Sequence, residues 1–318
     1  MPSFRFRSAA VLLATGAAVL GLALPAQARA LPVDYDFALG ALAGFAHPQT
    51  PPPGADNGCR PPAAHPEPVI LVNGTFANQD DNWQAASPLL ANRGYCVFTF
   101  NYGGPSASSI VQSTGDIATS AGQLGTFVSQ VLAQTGAAKV DLVGHSQGGM
   151  MPRYYLKFDG GAAHVDKLVA LAPSNHGTTL DGLTALVTAL GQVLGSGLVN
   201  GAINALCTAC VQQEVGSPFL TNLNAGGETV AGVSYTVIES RYDEVVTPYT
   251  SAFLSGSGVR NILLQNQCAL DLSDHLEIAA DPVALADVLN ALDPAHPVRV
   301  PCLTVLPITG PVGPVPSF

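Results

Sequence analysis

The sequence predicts an α/β fold in which a mostly parallel central sheet is flanked by helices on both faces. Three observations lead there. Short apolar runs bounded by turn residues recur along the chain, as buried strands do: "PVILVNG" (68–74), "KVDLVG" (139–144) and "VDKLVALA" (165–172). Segments with helical spacing separate them, and strands alternating with helices imply parallel pairing with both faces covered. With 318 residues, 47% hydrophobic and 11% charged, the chain has apolar material for one large core.

Each element can be justified in turn. Arg5 and Arg7 precede an apolar run from Ala9 to Leu24, and "PAQARA" then offers small residues for cleavage near Ala28 or Ala30. Residues 1–30 are therefore expected to be a secretory signal peptide and residues 31–318 the exported, extracellular domain. A 16-residue run is short for a membrane span. Residues 47–68 are proline-rich and read as an extended lead-in.

"PVILVNG" is the first strand, and "NWQAASPLLANRG" (82–94) has helical spacing and a glycine stop despite an internal proline. "YCVFTFNYG" (95–103) is a strand, and residues 115–137 form a long amphipathic helix ending in glycine. "KVDLVG" feeds Ser146, and a helix runs on through about Phe158. "VDKLVALA", "SYTVIES" (234–240) and "VRNILLQN" (259–266) complete the strands, and "DPVALADVLNAL" (281–292) is the closing helix. The tail 293–318 is proline-rich and expected to be pinned by Cys302.

Residues 182–213 contain no charged side chain. The stretch is long enough to span a bilayer, but its glycines and its place inside a soluble alternation favour two short helices joined by "GSG". It is expected to form an apolar helical cap, about 181–225, over the C-terminal edge of the sheet.

Without residues 1–30, nine basic residues face 22 acidic ones, a net charge of −13. Such a surface argues against nucleic acid and anionic headgroups as partners. An even number of cysteines in an exported chain predicts disulfides, and six cysteines allow 15 pairings. Proximity suggests Cys59–Cys96, Cys207–Cys210 and Cys268–Cys302. Cys207 and Cys210 could form a redox pair or half a zinc site, but no second such pair or close histidine pair accompanies them.

Gly144-His145-Ser146-Gln147-Gly148 matches G-x-S-x-G, with a strand before it and a helix after it. In such an elbow the serine takes a strained conformation, and the glycines let helix and strand approach closely. Ser146 is thus the expected nucleophile. A serine hydroxyl needs a base within hydrogen-bond reach, itself oriented by an acid.

On a sheet with this elbow the partners follow in the order serine, acid, histidine, each on a loop after a strand. That order removes His47 and His65. His145 adjoins the nucleophile and is expected to point away from the cleft, as a supporting residue. His164 precedes a strand, His296 lies in the tail, and His176 in "APSNHGT" precedes any later acid loop. His275 in "LDLSDHLEI" follows the last strand of the sheet and is the expected base. Asp243 in "RYDEVVTP" lies just past a strand and is the expected acid, with Glu244 its nearest rival and Glu239 inside the strand pattern.

The backbone N–H of Gln147 is one expected oxyanion donor. The second should come from the loop after "PVILV", where Thr75 follows Gly74 and Phe76 is the alternative donor. Phe76 and His176 are the expected pocket residues. Such a site requires neither metal nor organic cofactor.

At these residues the chain resembles the secreted α/β-hydrolase lipases and esterases of the class 2 bacterial type. It is most similar to the small actinobacterial enzymes, which include an esterase acting on suberin. The matching pieces are "PVILVNGT", "VDLVGHSQGGMMPRYYLK", "LAPSNHGTT", "YDEVVTPY" and "SDHLEI", spread from about residue 68 to 280. More loosely, "LVNGT" and "SQGG" are similar to the yeast-type lipase B. The resemblance implies an ester hydrolase with Ser146, Asp243 and His275 as triad and Thr75 and Gln147 as oxyanion donors. It departs from the generic bacterial lipase pattern at Asn73, where that pattern has histidine before the oxyanion glycine.

The expected substrate is an ester with an acyl chain, a triacylglycerol met by a monomer at a lipid–water interface. The charge-free cap favours that reading over ordinary core helix. Short soluble esters or plant polyesters such as suberin and cutin are the alternative. Acyl transfer to another alcohol and non-enzymatic lipid binding are further readings, the latter with no need of a complete triad.

Overall fold

Six parallel strands form the central sheet, in the order β2-β1-β3-β4-β5-β6, in a computed structural model that describes residues 1–3, 30–195 and 207–317. The strands are β1 (Val69–Val72), β2 (Val97–Thr99), β3 (Val140–His145), β4 (Val165–Leu171), β5 (Ser234–Glu239) and β6 (Val259–Leu263). Every residue of β1, β2 and β3 is buried, as a parallel sheet covered on both faces requires. The expected signal peptide, apart from its ends, and the "GSG" joint beyond Gly195 lie outside the described residues.

The helices are α1 (Phe37–Phe45), α2 (Ala86–Asn92), α3 (Ile117–Thr135), α4 (Gln147–Met150), α5 (Pro152–Phe158), α6 (Leu180–Leu194), α7 (Thr208–Gln212), α8 (Pro218–Asn224), α9 (Leu264–Gln267) and α10 (Pro282–Leu292). Local chemistry sets their ends. Asp116 caps α3 by accepting from the Thr119 N–H, and Gly136 closes it with a left-handed backbone. Asp281 accepts from the Val283 N–H, with Pro282 at the first position of α10, where no N–H is needed. α3 packs on α5, and α10 packs on β4 and β5.

The strand expected over 95–103 is confined to β2, Val97–Thr99, and three further boundaries differ, each for a physical reason. The helix after Ser146 is two helices, because Pro152 has no N–H to continue α4 and instead starts α5. The helix expected over 82–94 begins at Ala86, which moves Pro88 into the first turn; residues 78–82 form polar turns built on Asn78 and Asp81. The strand expected over 259–266 stops at Leu263, and α9 then turns the chain into Cys268.

Between β4 and β5 the described cap consists of α6, α7 and α8, N-capped by Thr179, Cys207 and Ser217. Among the described residues no helix is long and apolar enough to cross a membrane. The disulfides pair Cys59–Cys96, Cys207–Cys210 and Cys268–Cys302, as proximity suggested. The last of these anchors the tail, whose strands β7 (Val305–Leu306) and β8 (Gly310–Pro311) form a small antiparallel ribbon.

The Cys268–Cys302 cross-link spans 34 residues. Chain entropy assigns a loop of that length about 3–4 kcal/mol of stability. Replacing both cysteines by alanine should lower the urea-unfolding free energy by about that amount. A change within measurement error would show that the tail is held by packing alone.

Candidate active site

β3 delivers Ser146 into a sharp turn. Its backbone lies at φ 55° and ψ −123°, a strained conformation for a non-glycine residue, and its N–H donates to the Leu171 carbonyl at 2.9 Å. The turn leads at once into α4, so the serine side chain projects from the C-terminal edge of the sheet.

The structure brings the three expected partners together. His275 Nε2 lies 3.0 Å from Ser146 Oγ, and its Nδ1 lies 2.8 Å from Asp243 Oδ2. Asp243 comes from the loop after β5 and His275 from the loop after α9. Asp243 also accepts from the N–H groups of Val245 (2.8 Å) and Val246 (2.7 Å), which fix its carboxylate plane. The His275 ring is fully buried, which disfavours its charged form, yet Asp243, then Glu244 and Asp274, outweigh burial and hold its pKa above the ordinary histidine value. Glu244, the rival acid, instead accepts from the His275 backbone N–H at 3.3 Å.

His145 is buried beside this group and steadies it. Its Nε2 lies 2.8 Å from the His275 carbonyl oxygen, and its Nδ1 lies 3.2 Å from Asn82 Oδ1. Burial, followed by the neighbouring His275, drives its pKa down to about 3. Both ring nitrogens face carbonyl oxygens, and the neutral ring has one N–H to give to one of them. Asn82 Oδ1 in turn accepts the Gly74 N–H at 2.8 Å, so one chain of contacts joins the β1 loop to the base.

That loop carries Thr75 and Phe76. The Phe76 N–H donates to the Gln112 carbonyl at 3.1 Å, so it is already engaged. Among the described residues no acceptor is paired with the N–H of Thr75 or of Gln147. The Thr75 hydroxyl accepts from Gln147 Nε2 (2.9 Å) and from Gln213 Nε2 (3.0 Å), which leaves its own proton free to donate. Two N–H groups and one O–H beside a serine nucleophile can stabilise an oxyanion. Asn73 braces the loop: its Nδ2 donates to Ser113 Oγ at 2.9 Å, and its carbonyl accepts from the Tyr102 hydroxyl.

Phe76 also lines an apolar cavity of about 810 Å³ between α6 and α7, with Leu183, Val187, Val211 and the Cys207–Cys210 pair. His176 does not reach it. Its ring nitrogens face the Ser251 carbonyl (2.9 Å) and Glu228 Oε1 (2.7 Å), so the expectation that it shapes the pocket is corrected: hydrogen-bond partners that do not line the cavity hold it. Among the described residues no group of three His, Cys, Asp or Glu side chains is placed to hold a metal ion.

Gln213 and Asn82 escaped sequence reasoning. Gln213 follows a charge-free helix, and a glutamine there could have signalled an inward polar contact. Besides Thr75 it meets Ser174, whose hydroxyl donates to its Oε1 at 2.8 Å.

The sequence model of the family Lipase (class 2) matches residues 66–286. A triacylglycerol lipase of Pseudarthrobacter phenanthrenivorans is 41% identical over 97 residues, 29% of this chain and 28% of that protein. One from Burkholderia plantarii is also 41% identical over 97 residues, covering 29% of this chain and 25% of that protein. The matched stretch thus spans about a quarter of either relative. Among solved structures, Aspergillus fumigatus lipase B superposes with a TM-score of 0.59 at 25% identity, over 79% of this chain and 56% of that one.

Phosphonylation of Ser146 requires a neutral His275. With the His275 pKa held above its ordinary value, the inactivation rate by a serine-directed phosphonate should rise with pH through a midpoint above about 6.5. His145, at about 3, should contribute no second step above pH 5. A midpoint at or below 6.5 would contradict this electrostatic reading.

Proposed function

Because the chain belongs to the class 2 lipase family, we propose that it is a secreted carboxylic ester hydrolase acting on fatty-acyl esters, triacylglycerols above all. The observation that carries the reading is the Ser146–His275–Asp243 chain, with an apolar cavity lined by Phe76 of the neighbouring oxyanion loop. His275 takes the proton from Ser146 Oγ as the oxygen attacks the ester carbonyl. Asp243 holds the imidazole with its proton on Nδ1 and stabilises the imidazolium that forms. The tetrahedral oxyanion sits against the N–H groups of Thr75 and Gln147 and the Thr75 hydroxyl. Each such donor contributes about 3–4 kcal/mol where charge develops.

Collapse of that intermediate breaks the ester C–O bond. His275 returns its proton to the leaving alcohol, and the acyl group stays on Ser146. Water then enters, gives a proton to His275, and releases the acid by the same steps reversed. Every step uses groups of this chain.

The acyl portion is assigned to the cavity between α6 and α7, which begins at Phe76, next to the oxyanion loop. Its walls are mainly leucine, valine and phenylalanine, and burying methylenes there favours binding by about 0.8 kcal/mol each. Export through residues 1–30 agrees with three disulfides, which persist in oxidising compartments.

A panel of p-nitrophenyl esters of increasing acyl length, followed by an emulsified long-chain triglyceride, tests the reading. Specificity should rise with chain length into the medium-to-long range, and Ser146→Ala should abolish hydrolysis of every ester. A steep fall beyond short acyl chains, with no triglyceride hydrolysis, would exclude the lipase assignment and leave an esterase.

A further inference from the structure

Glu239 is the last residue of β5 and is wholly buried. Its Oε1 accepts the Ser240 N–H at 2.8 Å. Its Oε2 is buried and meets no donor among the described residues. Its side chain also lies within hydrogen-bonding range of the Asp243 carboxylate. Two carboxylates offer only acceptors, so that contact needs a proton between them.

The donors decide which group carries it. Asp243 receives N–H groups from Val245, Val246 and His275, so its oxygens are already supplied with donors. Glu239 receives one, from Ser240. We propose that Glu239 is a neutral carboxylic acid whose O–H donates to the Asp243 carboxylate, and that it is a positioning residue for the triad. This rests on the triad reading given above.

The surroundings agree. Burial, then the Asp243 charge, pushes the Glu239 pKa well above the ordinary glutamate value, with Glu244 adding to it. His275 and Asp274 lie beyond Asp243, and among the described residues no lysine or arginine pairs with Glu239. The consequence is mechanical and electrostatic. A donor behind Asp243 pins the carboxylate toward His275 and withdraws electron density from it, so the proton stays on Nδ1. Ionisation of Glu239 at alkaline pH would place a second negative charge in the same dry site and remove that donor.

Glutamine preserves the geometry without the ionisable proton: its amide can donate to Asp243 while its Oε1 keeps the Ser240 N–H. Leucine removes the donor. The experiment measures pH profiles of Ser146 phosphonylation for the wild type, Glu239→Gln and Glu239→Leu. The expected result is a wild-type rate that declines at alkaline pH and a glutamine variant within about threefold of it at neutral pH, without that decline. The leucine variant should be at least tenfold slower, with its acid limb moved upward as His275 becomes more basic.

A wild type that is not labelled at Ser146 overturns the triad reading and this inference with it. A labelled wild type in which glutamine and leucine behave alike overturns the inference alone. If Glu239→Leu does not fold, the glutamine profile decides: an alkaline limb unchanged from the wild type overturns the proposal.

Discussion

The close approach of backbone at the nucleophile turn is the constraint on which the remainder depends. A Cβ on Gly148 would lie 2.0 Å from the Val72 carbonyl oxygen, and one on Gly144 would lie 1.9 Å from the Gly148 oxygen. Only hydrogen fits at either place, so α4 can lie against the end of β1 and hold Ser146 in its strained conformation. From that turn the other positions follow. Gln147 starts α4 with an uncommitted N–H, and Gly74 brings the β1 loop within 3.2 Å, measured from an ideal Cβ to the Ser146 Cβ. The site is therefore assembled by the sheet edge, with loops supplying chemistry.

Buried polar side chains then lock the loops in register. Asn73, Asn82, His145, Gln147 and Gln213 are all buried, and each makes hydrogen bonds across segments distant in the chain. An unpaired buried amide costs roughly 1–3 kcal/mol, so a network with most of its partners in place selects one arrangement sharply. Asn82 links the oxyanion loop to His145, and His145 links it to the backbone of His275. Gln213 does the same for the cap: at the end of α7 it grips the Thr75 hydroxyl and the Ser174 hydroxyl together. Displacing α7 would release one of the two contacts that orient that hydroxyl.

Much of this was legible in the sequence because it depends on local pattern. Apolar runs and helical spacing located the strands and helices, and strand-turn-helix context singled out Ser146. Chain order placed Asp243 and His275 where the structure brings them. What escaped depends on pairs formed across the fold. Nothing in "TFANQDDNW" marks Asn82, rather than Asn78 or Gln79, as the acceptor of Gly74. The choice between Thr75 and Phe76 turned on one backbone bond to Gln112, 36 residues later. His176, beside the sheet edge in sequence, is drawn off by Glu228, whose position no periodicity reveals. Glu239 read as a strand residue, and its neighbour Asp243 is a contact that only the fold creates.

The central claim is that ester hydrolysis passes through an acyl group carried on Ser146. Intact-protein mass spectrometry of enzyme quenched during turnover of a slowly deacylating ester tests it directly. The predicted result is an adduct equal in mass to the acyl group, mapped to the peptide holding Ser146 and absent from His275→Ala. Turnover with no adduct, or an adduct on another residue, would contradict the account.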